Sequence, residues 1–140
     1  MRIKRGIWPA LLVVLIAFTS SCSIGKGKEL GEGGVAQFHA RFNADQYKEI
    51  YAQADEAFRK AAVETDAVDL FAAIHKKYGA VKQATQNGWN VSSTPQGTMV
   101  SLEYNTEFTE GTATEKFVFR VNDDKATLFN YNVAPVAPTS

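Results

Sequence analysis

The sequence predicts an α+β domain, with N-terminal helices packed on one face of a four-stranded antiparallel β-meander. Three observations predict it. Apolar residues recur every three or four positions between residues 35 and 78, then every second position from about 99 to 121; these are the periods of an amphipathic helix and a half-buried strand. The two kinds of segment follow one another instead of alternating, which is the order of segregated layers and not of a βαβ repeat. Finally, 140 residues with 45% apolar content hold at most one domain of ordinary composition.

The first element is different in kind. Arg2, Lys4 and Arg5 precede an apolar run from Ile7 to Phe18, and the small residues Thr19, Ser20 and Ser21 follow it. A basic, apolar, small order is that of a secretory signal peptide, and the run is too short for a permanent membrane span. Pro9 and the lack of an amphipathic period argue against a core helix. The next residue, Cys22, is the only cysteine, so no internal disulfide can form. Thr19-Ser20-Ser21-Cys22 resembles the lipobox of bacterial lipoproteins, although Thr19 stands where that family most often carries leucine. The resemblance implies cleavage of residues 1–21, lipidation of Cys22 and, with Ser23 and not an aspartate next, an anchor in the outer membrane facing the periplasm. Two or more acyl chains give stable anchoring where one does not. The 15 basic and 15 acidic side chains balance in the full chain; losing the three N-terminal cations leaves the mature chain mildly acidic. No clustered basic face suggests nucleic acid as a partner.

Residues 22–34 (CSIGKGKELGEGG) carry five glycines and read as a flexible tether, with a reach of about 20 Å. The domain itself is expected over residues 35–133. Val35, Phe38 and Phe42 mark one short helix. Asn43 is placed to cap a second, in which Tyr47, Ile50, Tyr51, Ala54, Phe58 and Ala61 form a continuous stripe. A third runs from about Thr65, carries Ala67, Leu70, Phe71, Ile74 and Tyr78, and stops at Gly79.

Four strands follow. Val81–Val91 is the first, with a loop near Thr94-Pro95 placing Trp89 opposite Val100. Val100, Leu102, Tyr104, Thr106 and Phe108 share one face of the second. A two-residue loop at Glu110-Gly111 then sets Tyr104 opposite Phe117, Leu102 opposite Phe119 and Glu115 opposite Thr106, with every apolar partner on one face. A three-residue loop at Asp123-Asp124-Lys125, with Lys125 left-handed, sets Phe129 opposite Phe119 and Tyr131 opposite Phe117. Residues 134–140 (APVAPTS) read as a disordered tail.

This order of elements, with stretches such as GWNV, VSLEYNTEF and EKFVFRV, resembles the nuclear transport factor 2-like and cystatin-like α+β rolls. The resemblance covers residues 35–133 and implies a cone between helices and sheet that holds a ligand, a partner or only side chains. Fold does not choose among these. Glu115 is the one formal charge on the inward face of its strand, and a carboxylate facing an apolar cone can act as a base or hold a cation. Its candidate companions in a ligand site are Tyr104, Phe117, Tyr131 and Trp89, although an aromatic stripe is more often core. His39 and His75 lie on different helices with no H-E-x-x-H pattern, so no metal is expected. No G-x-S-x-G elbow surrounds a serine, and no cofactor is implied. The expected function is a non-enzymatic binding or assembly module, held to the membrane by lipid on Cys22 and taking a protein partner or a small apolar ligand. The alternatives are a ketosteroid-isomerase-like proton shuttle using Glu115 with a tyrosine, and an inhibitor or immunity protein acting through the polar sheet face or the Ser92–Gly97 loop.

Overall fold

A computed structural model describes residues 22–136; residues 1–21, expected to form a signal peptide, and residues 137–140 lie outside the described residues. Four helices come first: α1 (Cys22–Asn43), α2 (Tyr47–Ala52), α3 (Glu56–Ala61) and α4 (Glu64–Tyr78). Four strands follow: β1 (Val81–Thr94), β2 (Gly97–Phe108), β3 (Gly111–Asn122) and β4 (Lys125–Pro135), antiparallel in the order β1-β2-β3-β4. The expected α+β meander is what the chain forms.

The expected tether is helical. Residues 22–34 form the first half of α1, continuous with the stripe of Val35, Phe38 and Phe42. Its glycines explain why. Gly27, Gly31 and Gly34 recur at helical spacing and face the sheet. A β-carbon at Gly31 would lie 2.9 Å from Val100 Cγ1, and one at Gly34 would lie 2.6 Å from Phe119 Cε1. Each glycine costs a helix about 1 kcal/mol relative to alanine. Here that cost is offset by close packing, because the bare backbone covers Val100 and Leu102, which are fully buried.

Asn43 does not cap a second helix. Its side chain donates to Val81 O (3.1 Å) and accepts from Val81 N (2.8 Å), fastening the end of α1 to the start of β1. The stripe expected as one helix over 47–61 is two, because Asp55 interrupts it. The Asp55 amide donates to Leu128 O at 2.8 Å, and its carboxylate caps α3 by accepting from Ala57 N at 2.9 Å. Helix α4 stops at Gly79, whose φ of 81° suits glycine. Leu70, expected on its apolar stripe, is half exposed.

Each hairpin turn is two residues long, and the first two expected registers shift throughout while the third shifts in part. The β2–β3 turn is Thr109-Glu110, pairing Phe108 with Gly111, Tyr104 with Glu115 and Leu102 with Phe117. The α4–β1 connection fixes it there: Thr109 N donates to Ala80 O and Glu110 N to Tyr78 O. The shift is two residues, one full strand period, so every side chain keeps its expected face. In the β1–β2 hairpin Trp89 meets Leu102 and Val91 meets Val100. The β3–β4 turn is Asp123-Asp124, with Asp123 and not Lys125 at positive φ (53°). A bulge after Val118 then restores the expected Phe117–Tyr131 pair but sets Leu128 opposite Phe119. Phe129 becomes the extra residue and lies under the Arg120 guanidinium, 5.2 Å from its ring centre. Strand β4 continues past the expected boundary, with Ala134 and Pro135 paired to Thr114 and Ala113.

Helix α1 lies across all four strands. The Phe38 ring sits among those of Tyr131, Phe117, Phe71 and Phe42, at centroid distances of 4.7, 5.1, 5.6 and 6.1 Å. Aromatic pairs at such distances add to simple area burial. The space between helices and sheet is thus largely filled by rings.

Candidate functional site

Glu115 is positioned by strand alternation. Ala113, Glu115, Phe117, Phe119 and Val121 all point inward from β3 and are buried. Glu115 is only 1% exposed, so its carboxylate requires partners, and it has three. Thr106 Oγ1 donates to Oε1 at 2.5 Å, His39 Nε2 lies 2.7 Å from the same oxygen, and Tyr131 OH donates to Oε2 at 2.6 Å. Burial, followed by the neighbouring Glu115 charge, holds the Tyr131 hydroxyl well above the usual phenol range. Tyr131 is therefore a fixed donor and not an acid at neutral pH.

Of the residues predicted to form a ligand site, Glu115, Phe117 and Tyr131 come together. Tyr104 faces Glu115 in register, but its hydroxyl accepts from Gln86 Nε2 at 3.1 Å, and burial raises its pKa. Trp89 does not join them. It lies on the edge strand β1, half exposed, with Lys28 Nζ 5.4 Å from its ring centre. Sequence reasoning missed His39 as the partner of Glu115. The available signal was its place beside Phe38 in the α1 stripe, which aims it at the inward face of β3. The proton-shuttle reading needs an open cavity at Glu115. Instead the carboxylate is buried and held by Thr106, His39 and Tyr131, and Glu115 does not line the groove between α1, α2 and β4.

Two further polar clusters tie elements together. Asp55 Oδ2 accepts from Thr127 Oγ1 at 2.9 Å and lies 3.4 Å from Arg120 Nε. On the helical side Tyr47 OH donates to Asp45 Oδ1 at 2.9 Å and lies 2.5 Å from His75 Nδ1. Burial and the Asp45 hydrogen bond push the Tyr47 hydroxyl up to about 12. His39 and His75 thus serve separate clusters. Among the described residues no three His, Cys, Asp or Glu side chains are grouped to hold a metal.

An open groove lies on the other flank of α1. A groove of about 610 Å³ runs between α1, α2 and the start of β4. Leu30, Phe38, Ile50, Phe119 and Leu128 form its floor, and Lys26, Arg41, Asp124 and Lys125 stand on its rim. Lys26 is paired with Asp124, and Arg41 donates to Gln53 Oε1 at 2.7 Å. Gly33 opens onto the groove with no atom within 4 Å of where a β-carbon would stand. An apolar floor under a rim of mixed charge suits a small ligand with an apolar body.

A family model described as "Protein of unknown function (DUF4019)" matches residues 34–131, well over half of the chain. No curated protein matches it. The matched span contains the whole Glu115 cluster and most of the groove, and it omits the first half of α1. The chain belongs to the DUF4019 family.

Proposed function

We propose that this DUF4019 protein is a bacterial envelope lipoprotein, anchored through acyl chains on Cys22 in the outer membrane and facing the periplasm. Its domain, read as a nuclear transport factor 2-like roll, serves as a non-enzymatic binding module for a small apolar ligand. The address rests on the order of basic residues, apolar run, small residues and lone cysteine in residues 1–22. The module reading rests on one observation: an open groove with an apolar floor lies between α1, α2 and β4, while the buried carboxylate is held by its own hydrogen-bond partners and lies apart from that groove.

Two measurements test this. Mass spectrometry of the protein purified from bacterial membranes should show Cys22 as the acylated N-terminus, and Cys22→Ser should leave an uncleaved precursor. An unmodified Cys22, or normal cleavage of the variant, would refute the address. For the groove, an apolar fluorescent probe should bind the purified protein and lose at least tenfold in affinity in Gly33→Phe. That substitution fills open space, and any residue but proline improves on glycine in a helix. Unchanged probe affinity in a folded Gly33→Phe protein would refute the binding site.

A further inference from the structure

We infer that the β1 flank of the domain, with Ile24 and Lys28 from α1 and Trp89 from β1, is the face laid against the bilayer. This rests on the proposal that Cys22 carries the lipid. The first argument is where the chain leads. Helix α1 begins at Cys22, so the anchor joins the fold with no slack. Along the helix axis Ile24 and Lys28 lie only about 3 and 9 Å from the anchored position. A bilayer holding Cys22 therefore meets this end of α1, and since Lys26 on the other flank is as close to the anchor, the chemistry of the two flanks chooses between them.

The second argument is the chemistry of the flank. Ile24 is 53% and Trp89 51% exposed, which is costly against water and favourable at a lipid interface. Lys28 stands over the Trp89 ring at 5.4 Å and also pairs with Glu32 at 2.5 Å. An interfacial tryptophan beside a lysine with a long apolar stem suits the headgroup boundary. Residues 83–94 of β1 carry no charged side chain, so desolvating this edge removes no ion from water. The opposite flank presents Lys26, Asp123, Asp124 and Lys125 at the groove and the β3–β4 turn. Exposed Leu70 sits beside Asp69 on α4, a helix with six charged or histidine side chains.

The test uses the sequence's own probe. The chain has two tryptophans, Trp8 and Trp89, and cleavage before Cys22 removes the first. The mature acylated protein, extracted from bacterial membranes, is placed in phosphatidylcholine vesicles with or without brominated acyl chains. Brominated lipid should at least halve Trp89 emission. Lys28→Glu, which puts a carboxylate where the ammonium stands over the ring and beside Glu32, should abolish most of that quenching while Cys22 stays acylated by mass. Acylated wild-type protein with unquenched Trp89 would overturn the docking proposal and leave the lipoprotein reading standing. So would Trp89 shielded from lipid and from an aqueous quencher alike, which would assign the flank to a second copy or to a partner strand added to β1. A mass showing no lipid on Cys22 would instead overturn the premise.

Discussion

Glu115 is the residue on which the interior depends most. Three donors converge on its carboxylate from β2, α1 and β4. Removing the acceptor strands all three, so Glu115→Leu should cost roughly 3 kcal/mol or more, whereas His39→Leu removes one donor and should cost about 1 kcal/mol. Urea midpoints at pH 7 measure both; equal midpoints for Glu115→Leu and wild type would refute the role. The tyrosines add an alkaline limit. Folding raises the pKa of Tyr47 to about 12, and burial moves Tyr104 and Tyr131 upward as well. The unfolded chain releases these protons near pH 10. Their contribution is therefore complete below about pH 10 and declines as the pH climbs towards the folded-state values. Near-ultraviolet circular dichroism should hold up to about pH 10 and be lost above it; a loss that sets in well below pH 10 would refute this limit. At this scale the inward direction of Glu115 was legible, since alternation along a strand fixes a face. Its partners were not, because His39 arrives from an element 76 residues away, and only packing brings it there.

At the scale of elements, α1 shows how composition and period can disagree. Five glycines in thirteen residues suggest coil, yet Gly27, Gly31 and Gly34 share the helical period of Val35, Phe38 and Phe42, which follow. The spacing carried the information that the glycine count concealed. The two sets of glycines predict opposite effects of one substitution. Gly31→Ala and Gly34→Ala drive a methyl group into Val100 and Phe119 and should destabilise the fold by about 1–3 kcal/mol. Gly33→Ala, on the open side, should stabilise it by up to about 1 kcal/mol. Thermal melts of the three variants read the sign directly; a shared sign would mean that α1 does not pack as described. The break at Asp55 was hidden for another reason. The apolar stripe runs through it, and what ends the helix is the hydrogen bond from the Asp55 amide to Leu128 O, a contact with β4 that no local pattern contains. The β2–β3 turn was similarly misplaced by one position, because contacts with Tyr78 and Ala80 choose which residues turn.

For the molecule as a whole, the layer order was legible because segregated periods admit few packings, and a shift by one strand period leaves the faces unchanged. The extent of the folded unit was not. The matched family span starts at residue 34, as the expected domain nearly does, yet α1 extends twelve residues before it and covers Val100 and Leu102. If that half-helix is part of the fold, removing it uncovers apolar side chains. Each fully buried aliphatic contributes about 1.5–3 kcal/mol, against a total of about 5–15 kcal/mol for a typical domain. A chain starting at Gly34 should therefore lose several kcal/mol relative to one starting at Ser23, both without lipid. Its urea midpoint should fall sharply and its m-value should drop, since less surface is exposed on unfolding. Equal midpoints would show that residues 22–33 add nothing to the fold, and the proposed anchor would then regain its slack. A large loss would mean that the proposed attachment point at Cys22 and the hydrophobic core share one helix, so that a pull on Cys22 is felt at Val100.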